Sequence, residues 1–222
     1  MKKITALLAL AVSLLTAQPS TALAKSQISY EEILYQATNN CHNRKPNQMT
    51  SEHHDMIRLM ISIEKSFEVP AQLRGMLVAA ACSESGYSPQ AKGDYRDRKR
   101  RNKIRRVPMA IGILQQWPWY EKFYKIDRLD PSQAADAWMK HIVRQLAPVK
   151  KRCRISSTDK RRLWVAAWVH AIRAPKEGGR CRETPLHYKI LKRWHRSIVK
   201  ERKFEETLNH QSEEVEEYVP GC

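Results

Sequence analysis

Apolar side chains recur along this chain at the three-to-four-residue spacing of helices that bury one face. Ile33, Leu34 and Ala37 mark a helix over 29–44. Met56, Leu59, Met60 and Ile63 mark a stronger one over 51–66, with Ser51 as its N-cap. Pro70 suits the first turn of a third helix over 71–83, striped by Leu73, Met76, Leu77, Ala80 and Ala81 and stopped by Gly86 and Pro89. Asp130 and Pro131 open a helix to about residue 146, carrying Ala134, Ala137, Trp138, Ile142 and Leu146. Leu163, Ala166, Ala167 and His170 share a face over 158–172, and a long last helix after Thr184 and Pro185 presents His187, Ile190, Leu191, Trp194 and Ile198. Strand patterns are nearly absent, and at most a short hairpin fits within 93–112. The pattern predicts one mainly α domain.

The two ends of the chain read differently. Residues 1–24 have the build of a secretory leader: Lys2 and Lys3, the apolar run Ile4 to Leu15, then Ala22-Leu23-Ala24 as a cleavage site. The run is too short to span a bilayer comfortably, so no stable membrane anchor is predicted. The expected mature protein is an exported, periplasmic or secreted monomer with its domain over 25–204. An acidic tail over 205–222 follows, holding Glu205, Glu206, Glu213, Glu214, Glu216 and Glu217.

Charge and cysteine content narrow the setting. The 222-residue chain carries a formal net charge of +17, which favours polyanionic partners. Its most basic stretch, between Asp94 and Val107, holds Arg96, Arg98, Lys99, Arg100, Arg101, Lys103, Arg105 and Arg106. In an exported protein this points to anionic cell-wall polymer. Nucleic acid is disfavoured by the leader and by the single aromatic of the stretch, Tyr95. The alternative for the stretch is a disordered, solvated loop. Five cysteines in an exported chain imply disulfides, with at least one thiol or an intermolecular link left over. The pairing favoured here is Cys153 with Cys181, closing a loop around the helix near Ser157, and then Cys41 with Cys82. No C-x-x-C occurs, His53 and His54 read as a solvated helix face, and no metal or cofactor is expected.

The candidate chemistry centres on Glu84. It falls at the C-terminal end of a largely buried helix, where the negative end of the helix dipole and partial desolvation both favour a protonated carboxyl group. Such a group suits general-acid work on a glycosidic bond.

Glu84-Ser85-Gly86, then Ser88-Pro89-Gln90-Ala91, then Gly112-Ile113-Leu114-Gln115 resemble the E-S-G, N-P-x-A and G-L-x-Q elements of soluble lytic transglycosylases and goose-type lysozymes. The resemblance spans roughly residues 55–195. It implies a lysozyme-like, mainly helical domain acting on peptidoglycan, with the basic stretch as an insertion beside the cleft. By position Glu84 becomes the catalytic acid, and Ser85 and Gln115 become substrate contacts. Trp117, Trp119 and Tyr120 offer flat faces for sugar rings, with at least one expected only to pack. The family's A-Y-N-A-G is replaced by Ala167-Trp168-Val169-His170-Ala171, so Trp168 and His170 stand as substitutes at the cleft, with an interior packing role as the alternative for His170. Lytic transglycosylases form a 1,6-anhydro product with one carboxyl group. A hydrolytic muramidase needs a second, for which Asp94 and Asp97 are the nearest candidates. A noncatalytic wall-binding or assembly protein is the alternative from another class.

Overall fold

The computed structural model describes residues 27–100, 103–172 and 181–216. The expected leader and residues 217–222, Cys222 among them, lie outside these. Seven α-helices and one two-stranded antiparallel sheet form the described chain, in accord with the mainly α expectation. In order they are α1 (Tyr30–Asn40), α2 (Ser51–Lys65), α3 (Met76–Ser85), β1 (Lys92–Arg100), β2 (Lys103–Ile111), α4 (Pro118–Tyr124), α5 (Pro131–Cys153), α6 (Lys160–Ile172) and α7 (Leu186–Glu216). Among the described residues no helix is long and apolar enough to cross a membrane.

Helix α3 sits at the centre, packed against α1, α2 and α7. Every residue from Met76 to Cys82 is buried, so the expected one-sided stripe is instead a helix apolar all round. It also starts later than its pattern predicts. Residues Ala71–Leu73 form a short 3-10 turn, and the chain then turns at Gly75, where φ is +89°. A Cβ there would lie 2.8 Å from Ile33 of α1, so only glycine allows the two helices this approach.

A helix buried at its N-terminus must find acceptors for its first N–H groups. Glu64, in the last turn of α2 and fully buried, provides them. One carboxylate oxygen accepts from Gly75 N–H at 2.6 Å and the other from Leu77 N–H at 2.8 Å, while the Tyr30 hydroxyl donates at 3.2 Å. Burial pushes the Glu64 carboxyl up to about 7, although these hydrogen bonds and the nearby Arg74 charge pull the other way. The buried face of α2 is accordingly His53, Ile57, Met60, Ile61 and Glu64, rotated from the predicted stripe. Its N-cap is Thr50 rather than Ser51. Thr50 N–H donates to Nδ1 of His53 at 3.0 Å, so His53 is a buried capping group and not part of a solvated face.

The C-terminal end of α3 is clamped by the segment after α1. Cys41 and Cys82 form a disulfide, Asn43 donates to the Ser83 carbonyl, and Arg44 Nε donates to the Gly86 carbonyl at 2.8 Å. A cation at a helix C-terminus also meets the dipole favourably. The second disulfide, Cys153–Cys181, joins the end of α5 to the segment before α7. Both favoured pairings are therefore present. Helix α7 is held to α1 by Arg202 and Glu32 at 2.6 Å.

Several boundaries differ from the pattern. Helix α1 ends four residues early at Asn40, α5 passes through Pro148 to Cys153, and α6 begins at Lys160. Helix α7 runs to Glu216, so residues 205–216 of the expected tail continue a helix. The basic stretch is a ribbon, with β1 and β2 paired from Lys92↔Ile111 to Arg100↔Lys103.

Glu64 gives the fold a pH signature. Its folded-state value of about 7 lies above the ordinary 4.5, so the folded protein holds this proton more tightly than the unfolded chain. That contribution is complete below about 4.5 and is lost as pH rises through about 7, a change on the order of 3 kcal/mol. Denaturant unfolding at a series of pH values should show wild type losing stability across this window relative to Glu64→Gln. Parallel curves for the two proteins would contradict the assignment.

Candidate active site

Helix α3 delivers Glu84 in its last turn, just before Gly86 closes the helix in the left-handed conformation. The Glu84 side chain remains 31% exposed, while one oxygen meets Nε2 of the buried His187 at 2.6 Å. His187 stands in the first turn of α7, on the stripe that also buries Ile190, Leu191, Trp194 and Ile198. Its Nδ1 is buried and meets no hydrogen-bond partner among the described residues. A carboxylate only accepts, so against it the ring donates from Nε2. The ring stacks on Trp168 (centroids 5.9 Å apart, planes at 29°), and Trp168 is met edge-on by Trp138 at 5.8 Å. Two indoles thus fix the imidazole that fixes the carboxylate.

Two adjoining cavities, of about 460 and about 290 Å³, are both lined by Glu84, Ile172 and His187. The larger is walled by Asp94, Gln115, Trp117, Trp119 and Tyr120, the smaller by Val169, Thr184, Leu186 and Lys189. Glu84 therefore lies midway along a longer groove between the hairpin side and the start of α7.

The loop from Gly112 to Gln116 forms one wall and is held from several directions. Its ends bond to each other, Gln116 N–H to the Ile111 carbonyl at 3.0 Å and Ile111 N–H to the Gln116 carbonyl at 3.2 Å. Gly112 (φ +80°) passes so close to the Arg128 carbonyl that a Cβ would collide with it. Arg128 in turn donates to the carbonyls of Met109 and Gln116 at 2.9 and 2.6 Å. The Ser85 hydroxyl lies 2.8 Å from the Ile113 carbonyl and 3.2 Å from that of Ala81, tying loop to helix. Gln115 has φ +45°, and its Nε2 donates to the Gly112 carbonyl at 2.9 Å, which folds its side chain over the loop at the groove wall.

The residues singled out from sequence separate into three groups. Glu84, Gln115, Trp117, Tyr120 and Asp94 come together around the groove. Within this group Tyr120 is only 6% exposed and packs with Trp119 (3.9 Å) and Tyr124 (5.6 Å), so it offers an edge rather than a face. Trp119 is 40% exposed and Trp117 is partly exposed. Ser85, Trp168 and His170 do not line the groove. Ser85 is committed to the Ile113 carbonyl, Trp168 is fully buried beneath His187, and His170 is buried beside the Cys153–Cys181 disulfide. Asp97 points away from the groove. In the register of the ribbon Arg96 pairs with Val107 and Asp97 with Arg106, and the guanidinium of Arg96 lies over Trp117, so Asp97 occupies the opposite face. Asp94 is exposed at φ +47°, with its side chain at the groove.

His187 contacts the candidate acid Glu84, yet sequence reading placed it only in a packing stripe. Its signal was a titratable side chain at the first position of an otherwise apolar face, but nothing local ties it to Glu84. Cys153, His170 and Cys181 are the one cluster of metal-type ligands among the described residues, with ligand atoms within 4.8 Å of one another. Their sulfurs are bonded to each other and supply no thiolate for a metal.

No protein family, curated protein or solved structure matches the chain in comparisons with known proteins.

The inward role of Ser85 is open to a direct check. Ser85→Ala leaves the Ile113 carbonyl without this partner and should cost about 1–3 kcal/mol in denaturant unfolding. Unchanged stability would return Ser85 to the list of ligand contacts.

Proposed function

We propose that the protein cleaves the glycan strands of peptidoglycan as a lytic transglycosylase, with Glu84 as its single general acid and base. The observation that carries this reading is the part-exposed Glu84 carboxyl group, the acid that lines both cavities, held by a buried histidine with aromatic and amide side chains on the wall. The resemblance of Glu84-Ser85-Gly86 and Gly112-Ile113-Leu114-Gln115 to the transglycosylase elements agrees with it. The two disulfides and the leader-like first 24 residues fit an exported protein working in a periplasm or outside the cell.

Chemically, Glu84 protonates the oxygen that bridges N-acetylmuramic acid to N-acetylglucosamine, and the bond from that oxygen to the muramyl C1 breaks. The muramyl 6-hydroxyl oxygen bonds to C1, and its proton returns to the Glu84 carboxylate. Atoms balance without water, and the product ends in a 1,6-anhydro ring. His187 contributes by position. Its Nε2–H engages one carboxylate oxygen, which leaves the other to exchange the proton and steadies the charge once the proton has gone. Trp119, 40% exposed, supplies sugar-stacking surface, and Gln115 an amide for a sugar hydroxyl.

Asp94 favours a second reading, because it lines the same cavity as Glu84. As base for a water molecule it would make the protein a hydrolytic muramidase. Its exposed place on the ribbon, among arginines, holds it less firmly than a catalytic base requires.

Mass spectrometry of soluble products from purified peptidoglycan separates these readings. Wild type should release anhydromuropeptides, and Glu84→Gln should reduce release by about 10²–10⁴-fold while still pelleting with the wall. Reducing-end products that vanish in Asp94→Asn would establish the muramidase instead, and wall pelleting without any product would mark a binding protein. For His187, His187→Phe should lower kcat by up to about 10²-fold with little change in KM, whereas His187→Gln, which keeps a donor at the same reach, should recover part of it. Equal loss in both variants would reduce His187 to a packing role.

A further inference from the structure

Within the ribbon, side-chain alternation and register divide the described residues between two faces. Arg96 and Val107 lie on one face together with the directly opposed pair Arg98 and Arg105. Tyr95, Asp97, Ile104 and Arg106 lie on the other, where the Arg106 guanidinium is 5.6 Å from the Tyr95 ring and Asp97 opposes Arg106. The first face belongs to the groove, because the Arg96 guanidinium lies 4.8 Å from the centroid of Trp117, which lines the larger cavity. Asp94 is the acidic group at the groove end of this face.

We propose that Arg96, Arg98 and Arg105 form a carboxylate-binding track that continues the groove and grips the peptide stems of the glycan strand lying in it. The inference rests on the peptidoglycan reading above and adds what the protein recognises beyond the sugars. Three features carry it. First, Arg98 directly opposite Arg105 is a like-charge pair that costs the ribbon stability, so their placement is not explained by folding. An anion between them converts that repulsion into two attractions. Second, the Arg96 guanidinium lies 4.8 Å from the centroid of the Trp117 ring, a cation–π contact that restrains a planar fork of the kind that binds a carboxylate through two parallel hydrogen bonds. Third, the three cations are exposed and spaced at roughly 5 Å across the strands and roughly 7 Å along one, so a peptide bearing several carboxylates meets more than one at a time.

The track begins at the groove wall, which selects its occupant. Anions covalently attached to the strand in the groove reach it before any separate polymer does, and in peptidoglycan those are the free carboxylates of the stems. Nucleic acid fits poorly, since Tyr95 faces the other way and the track has no aromatic beyond Trp117 on which bases would stack.

The test uses the full mature chain carrying Glu84→Gln, so that strands are bound and not consumed. Fluorescence anisotropy compares soluble glycan strands that keep their stems with strands stripped of stems by an amidase. Stem-bearing strands should bind at least about tenfold tighter at low salt, with the advantage shrinking as salt rises. Adding Arg98→Gln and Arg105→Gln, the opposed pair that leaves the Arg96–Trp117 contact in place, should shrink the advantage at least several-fold and leave the affinity for stripped strands unchanged, which also shows the variant folded. Equal affinity for both strands in the parent, an advantage that survives the double substitution in full, or a double variant that no longer binds stripped strands would overturn the track. So would a soluble phosphate polyol that displaces stem-bearing strands better than free stem peptide does. Turnover by wild type is read separately. A stem preference without turnover would sink the catalytic reading and spare the track, and turnover without the preference would do the reverse.

Discussion

The fold hangs on a carboxylate that never meets water. Helix α3 is apolar on all sides and is surrounded by three other helices, an arrangement that leaves the N–H groups of its first turn nothing to bond except protein. Glu64 resolves this by lying across that end, and the partial positive charge of the helix terminus returns some of the cost of burying it. Gly75 completes the junction by letting the chain turn against Ile33. Because α3 is anchored in this way, whatever stands in its last turn is located by the whole core rather than by a loop.

At the opposite end of α3 the order of support runs inward from the groove. Glu84 is held by His187, His187 lies against Trp168, and Trp168 is met by Trp138. These four side chains come from α3, α7, α6 and α5, so four elements converge on one oxygen atom. The groove wall opposite is equally constrained, since Arg128 and Ser85 fasten a loop that contains two residues of positive φ. Rigid support on both sides suits the proposed single-acid mechanism, in which one group must meet two substrate oxygens in turn.

How legible this was in the sequence depended on the range of the signal. Helical periodicity located every helix but the short α4, and the stripe His187, Ile190, Leu191, Trp194 and Ile198 was read correctly because these five side chains are all buried. Helix α3 misled for the opposite reason: in a segment with apolar residues on every side, any subset can be read as a stripe. Glu64 was passed over because an acidic residue near a helix end is ordinarily exposed, and only the neighbouring turn reveals what it caps. Glu84, Gln115 and Trp117 were found because short motifs carry them. The ribbon lacked an apolar alternation, since arginines occupy both of its faces, and its pairing comes from backbone hydrogen bonds that side-chain pattern does not record. Trp168 was assigned to the cleft from its place in a motif, whereas α6 turns it towards the core; for His170 the interior alternative is the one seen, beside the disulfide.

A two-stranded ribbon has two free edges, each a row of backbone donors and acceptors open to pairing with another chain. Such edges invite copies to add to one another into continuous sheets, a hazard that grows with concentration. Here both strands bristle with arginine, so two ribbons approaching edge to edge would bring like charges together before any backbone bond could form. The same cations that we propose hold a ligand thereby keep the molecules apart from each other.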